Sequence, residues 1–136
     1  PVLVHNNNCL STQAITERLQ EHVDAVVEDF ELGRIGLSAR QQAVVKRVER
    51  MYGRERASAA YERYRGSVID TAVKARVERD TLLNGVLKIC GRFEACPDFH
   101  EPIRNVWWDI TTPASWDEHV DRYRSPFGRG IPLYTR

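Results

Sequence analysis

The chain has 136 residues, 42% of them hydrophobic, and its 20 basic and 19 acidic side chains leave a formal charge of +1. That is the size of one compact domain, and twelve aromatic residues supply enough apolar surface to offset the ordering entropy that keeps charged chains disordered. No apolar stretch nears the roughly eighteen residues of a bilayer span, which excludes a membrane helix. Cys9, Cys90 and Cys96 make neither a disulfide framework nor the paired CxxC units of a structural zinc site.

The near-neutral total hides separation. Residues 1–33 carry a net −5, residues 34–65 a net +6, and residues 66–136 ten charges of each sign. The basic middle reads either as a solvated helical face or as one that meets phosphates.

Residues 1–11 run from a short β-prone stretch into an Asn cluster and read as a linker. From Thr12, the spacing of Ile15, Leu19, Val23, Val26, Val27 and Phe30 predicts a helix ending near Gly33 or Gly36. Ser38 and Gln41 form a capping-box pattern, followed by a stripe of Val44, Val45, Val48, Met51 and Tyr52 that stops at Gly53. Ala57, Ala60, Tyr61 and Tyr64 then lead to Gly66, where a break is expected. Ile69, Val73 and Val77 mark a further helix ending near Asp80.

Beyond residue 80 the period changes. Val86–Cys90 reads as a strand, and 94–100 and 106–111 as the arms of a hairpin turning through Pro102 and Asn105. Thr112 and Pro113 provide an N-cap and a first helical residue for a helix bearing Trp116, His119, Val120 and Tyr123. Ser125-Pro-Phe-Gly-Arg-Gly130 is expected to break it. Ile131–Tyr134 makes a last strand, placed at an edge by Pro132.

A turn centred between Ile103 and Arg104 sets Asp98 opposite Asp109, where like charges repel unless something compensates. A divalent cation such as Mg²⁺ is one compensation. A register slip of one residue, or exposure of both acids, removes the need for any. Alternation puts Trp107, Asp109 and Thr111 on one face of their strand, and Cys96, Asp98 and His100 on one face of the other. Trp107, Trp108, Trp116 and Tyr123 read as core before stacking platforms.

Pro97-Asp98, then Asp109-Ile110-Thr111, on a helix, three strands, helix and strand, resembles the PD-(D/E)xK nuclease superfamily. The resemblance implies an α+β fold in which N-terminal helices (12–65) precede a restriction-endonuclease-like core (66–136). It also implies Mg²⁺ held by Asp98 and Asp109, with Asp70 of the preceding helix as a third carboxylate, and hydrolysis of DNA or RNA. The chain departs from the pattern at Thr111, where that family has lysine. Lys74, one turn after Asp70, is the first candidate to replace it and Lys88 the second. Asp70 and Lys74 read equally as an ordinary surface ion pair. His100 and His119 open a rival route, metal-independent RNA cleavage by an acid and a base. An action on nucleotides or NAD, or binding without catalysis, are the remaining alternatives.

Pro1-Val-Leu-Val-His-Asn6, followed by Cys9, resembles the junction preceding the C-terminal toxin domain of bacterial polymorphic toxins, including Rhs-type proteins. That resemblance implies a fragment secreted as the tip of a larger toxin polypeptide and acting in the cytoplasm of a target cell. It further implies a cognate immunity protein, a nucleic-acid substrate and no membrane partner. No signal peptide is read at the start, as expected for such a tip.

Overall fold

The computed structural model describes residues 10–91 and 94–136, the side chains of 124–126 excepted. Helix α1 (Thr12–Glu31) starts where the Ser11 hydroxyl accepts the Ala14 amide at 3.0 Å, and it buries Ile15, Leu19, Val23 and Val26. Leu10 packs on the core and its carbonyl accepts from Arg104, so the domain begins before the expected end of the linker at residue 11. The rest of that linker, residues 1–9, lies outside the described residues.

Helix α2 (Ala39–Tyr52) opens with the expected capping box: Gln41 donates its amide to the Ser38 hydroxyl at 3.1 Å, and Ser38 donates its own to the Gln41 side chain at 2.9 Å. Its valine stripe does not enter the core, as the pattern had suggested. No residue of α2 is fully buried, and Met51 and Tyr52 are 63% and 58% exposed. The stripe leans on one other helix, which meets it through the small buried residues Ala57 and Ala60.

That helix, α3 (Arg54–Arg79), is unbroken through Gly66, contrary to the expected stop. A mid-helix glycine costs about 1 kcal/mol. Burial of Ile69, Val73 and Val77 in the next turns, at about 1.5–3 kcal/mol each, outweighs it. The boundary at residue 66 therefore falls inside one helix. The real punctuation is Gly53, whose φ of 93° ends α2. A short helix α4 (Thr81–Asn84) follows, capped by Asp80.

A four-stranded sheet has the spatial order β1 (Lys88–Ile89), β2 (Phe99–Glu101), β3 (Val106–Thr111), β4 (Arg129–Tyr134). The first three are antiparallel, and β4 runs parallel to β3. Phe99 pairs with Trp108, the expected register, and Asn105 turns the hairpin at φ 56°. The strands β1 and β2 are shorter than the apolar runs suggested. Between them, Cys90 and Cys96 form a disulfide, with Cα atoms 5.8 Å apart, a single bridge that the odd count of three cysteines does not announce.

Thr112 takes the N-cap position and Pro113 the first helical one, as expected, but of a 3₁₀ turn, Pro113–Ser115, that runs into α5 (Trp116–Phe127); the Thr112 hydroxyl accepts no amide there and donates to Ser115 Oγ at 3.4 Å. Helix α5 runs past Ser125 and Pro126 instead of breaking there. Phe127 secures its last turn against Tyr123 and His100, at ring separations of 5.9 and 5.4 Å. Strand β4 starts two residues earlier than expected because it pairs along all of β3, and Pro132 lies on an edge strand as anticipated.

Alternation along β3 splits the sheet's two faces. Trp108 enters the main core with α1 and α3 and donates its indole N–H to the Thr16 hydroxyl at 2.9 Å. Trp107 faces α5, 5.4 Å from both Trp116 and Tyr123, and a Cβ at Gly130 would come within 2.2 Å of its ring. The fold is α+β, with the order helix, three strands, helix, strand following the N-terminal helices.

Candidate active site

Four elements bring polar groups together on the Trp107 side of the sheet. Asp98 directly precedes β2 and Asp109 lies on β3. The Asp98 amide donates to Asp109 Oδ1 at 2.6 Å, and the Ile110 amide donates to Asp98 Oδ2 at 2.8 Å. Each carboxylate thus braces the other's strand, and the predicted opposition is realised.

The compensating groups are side chains. Lys74 of α3 places Nζ 2.9 Å from Asp98 Oδ1 and 3.2 Å from Asp70 Oδ2. His119 of α5 sets Nδ1 2.5 Å from Asp109 Oδ2. A carboxylate only accepts, so Nδ1 carries the hydrogen of this bond. Among the described residues Nε2 has no hydrogen-bond partner.

Burial and crowding shift the acids. Asp70 is pushed up to about 7, first by burial and then by the Asp98 charge and hydrogen bond, with Lys74 opposing. Asp109 is also raised, chiefly by burial, while the His119 hydrogen bond holds it down and the Asp98 charge adds to the rise. Burial alone would lower Lys74, but the Asp98 and Asp70 carboxylates overcome it and hold the ammonium charged above its usual range.

An open cavity of about 200 Å³ abuts this cluster, lined by Asp70, Thr111, Ser115, His119 and Thr135 and by Arg65 at the end of the basic stretch. A second, of about 330 Å³, reaches Asp70 and Lys74 from the other side, past Cys90 and Gly91. Arg65, Ser115 and Thr135 were missed in the sequence because nothing local marks them. They belong to three separated segments.

The structure therefore gathers Asp70, Lys74, Asp98, Asp109 and His119. Thr111 is buried at the cavity wall, but its hydroxyl donates to the Thr112 carbonyl at 3.2 Å and it takes no part in the charge cluster. Lys88 is exposed on β1 and lies outside the cluster. His100 is not brought to His119. It sits opposite Trp107, two residues nearer the turn, with Nε2 3.0 Å from Asn105 Oδ1.

The donor set suits a hard cation: three carboxylates, oxygen ligands only, with more negative charge than Lys74 neutralises. Their oxygens do not converge on one point, however. Among the described residues, only Cys90, Glu94 and Cys96 bring three ligand-type atoms within 4.8 Å of one another, and those sulfurs are bonded to each other. Asp98 neighbours Asp70 on one side and Asp109 on the other. Two carboxylates are enough for Mg²⁺, which keeps several of its waters.

Compared with family models, curated proteins and solved structures, the chain has no significant match.

Proposed function

We propose that the protein is a nuclease that hydrolyses phosphodiester bonds of DNA or RNA at the Asp98/Asp109 cluster. The observation that carries the reading is the position of Lys74, whose ammonium bridges Asp70 and Asp98, the latter joined by its backbone amide to Asp109. The positive charge that Thr111 lacks is thus supplied from a helix. The element order and the hairpin register support the same reading, in which the core is restriction-endonuclease-like.

Asp98 and Asp109 would hold a divalent cation, with Asp70 able to join from α3. When bound, such an ion supplies a Lewis acid and a water of lowered pKa. Lys74 holds a fixed charge at Asp98, where it can offset negative charge developing on a phosphoryl oxygen. Arg65 at the cavity mouth can take a neighbouring phosphate, continuing the basic surface of α2 and early α3. Thr111 shapes the wall. The resemblance of residues 1–6 supports delivery from a parent toxin polypeptide into the cytoplasm of another bacterium, and with it a cognate immunity protein.

The test is purified parent and Asp109→Ala protein with plasmid and with total RNA, in Mg²⁺ or in EDTA. Cleavage in Mg²⁺ that EDTA abolishes and Asp109→Ala lowers at least about 100-fold fits the reading. Equal cleavage by both proteins sinks it.

A second reading rests on the Asp109–His119 hydrogen bond. It fixes Nδ1–H and leaves Nε2 to accept a proton, the arrangement of a general base. His119 would then deprotonate the ribose 2′-hydroxyl without metal. The original partner of that route, His100, is engaged at the hairpin turn. EDTA-resistant cleavage of RNA alone, lost in His119→Gln, would favour it.

A further inference from the structure

A second polar centre lies on roughly the opposite face of α3 from Asp70 and Lys74, at 100° per residue, with Ile69, Val73 and Val77 between the two. Asp80 is its one buried carboxylate. Oδ2 accepts from Arg18 Nε at 2.6 Å and from His22 Nε2 at 2.8 Å, and Oδ1 accepts the Leu82 amide at 3.1 Å. Arg76 Nε donates to His22 Nδ1 at 3.2 Å. A guanidinium can only donate, so Nδ1 is an acceptor and the ring is held as the neutral tautomer that gives its Nε2 hydrogen to Asp80.

This geometry fixes two guanidinium groups by their Nε atoms alone. Among the described residues, no hydrogen bond or ion pair engages the terminal nitrogens of Arg18 or Arg76, or any nitrogen of Arg79. All three arginines line a single open cavity of about 360 Å³ with His22, Asp80 and Thr81. One guanidinium would satisfy Asp80; three leave an excess of +2, or +1 when Glu21, which faces Arg18, is included. Like charges gathered around a cavity, two of them pre-oriented, match a ligand with several anionic oxygens.

We infer that the cavity between α1 and the C-terminal end of α3 is a phosphoryl-binding site, taking a phosphate group through the terminal nitrogens of Arg18, Arg76 and Arg79. The inference is independent of the nuclease reading, since a chain without cleavage activity would keep the pocket. The phosphoryl group is that of a free phosphate or mononucleotide, or one along a nucleic-acid backbone.

The experiment follows the arginine Nε–H signals of ¹⁵N-labelled protein in EDTA during titration with inorganic phosphate, with chloride at matched ionic strength as control. A saturable shift at Arg18 and Arg76 below about 10 mM phosphate, absent with chloride, is expected. Arg79→Gln should weaken it about tenfold, the loss of one charge-assisted contact, with unchanged melting because the Arg79 side chain makes no hydrogen bond or ion pair among the described residues. A single-stranded 12-mer that competes with phosphate assigns the site to the backbone; one that does not assigns it to free phosphoryl ligands. No saturable shift, the same shift with chloride, or parent-like binding by both Arg79→Gln and Arg76→Gln would overturn the inference.

Discussion

The two polar centres on α3 are built on opposite plans. At Asp80 a single acid stands among cations, is fully hydrogen-bonded, and is pulled down to about 2 by the Arg18 and His22 bonds, which outweigh its burial. At Asp70, Asp98 and Asp109 three acids share one ammonium and one imidazole, and Asp70 is pushed up to about 7. An acid whose pKa is lowered by folding stabilises the fold; one whose pKa is raised costs stability. The comparison separates the centre that holds α1 to α3 from the one that stores unrelieved negative charge, and perturbed acids of the second kind gather at reactive sites.

The largest expected break is catalytic. If the acid cluster does the chemistry, Asp98→Asn, which keeps an oxygen to accept the Ile110 amide, should lower cleavage by about 10³-fold while melting, read by circular dichroism, moves less than in the Asp80 variant. Asp80→Ala should do the reverse. Loss of the buried carboxylate that joins Arg18, His22 and the α4 cap is expected to cost about 3 kcal/mol, or about 10 °C in melting temperature, with turnover per folded molecule unchanged.

A smaller effect sharpens the contrast by pH. Asp70 is raised above its unfolded value, so its ionisation destabilises the fold progressively as pH climbs from about 4 through 7. In EDTA, Asp70→Asn should therefore be more stable than parent at pH 8, by about 1–2 kcal/mol after allowance for a side chain one-third exposed, and no more stable at pH 4. Urea unfolding at the two pH values reads the difference. Asp80 contributes in the opposite sense. Its stabilisation, about 2 kcal/mol, is present above pH 4 and lost as pH falls toward 2. An effect of similar size comes from opening the disulfide: Cys90→Ser should cost about 2 kcal/mol, the closure entropy of a short loop, in a melt without reductant.

How much of this was legible in the sequence depends on whether the signal was local. Asp98 could be set against Asp109 because Pro102 and Asn105 mark the turn and a period of two then carries the register outward. Asp70 and Lys74 could be paired by helical spacing. That Lys74 would also reach Asp98 could not, because it depends on how α3 packs against the sheet. Gly66 and Pro126 misled for the same reason: local propensity argues for a break, and burial on either side of Gly66, or ring packing by Phe127, overrides it. An odd number of cysteines hid the Cys90–Cys96 bond. The Asp80 centre joins residues 58 and 62 positions apart; its only local traces were the helical spacing of Arg18 and His22 and an aspartate at a helix end.

Helix α3 is one piece in geometry and two in stability. Its first half rests mainly on α2, through Ala57 and Ala60, with only the Tyr61 ring against Phe30 of α1, Arg65 over the same ring and an exposed Glu62–Arg136 pair besides, among the described residues, while its second half is sealed between α1 and the sheet by Ile69, Val73 and Val77. Amide protons of residues 54–62 should exchange with solvent through local opening, whereas those of 69–77 should wait for global unfolding. Both polar centres hang from the slow half, so the outer helical hairpin can open without disturbing either.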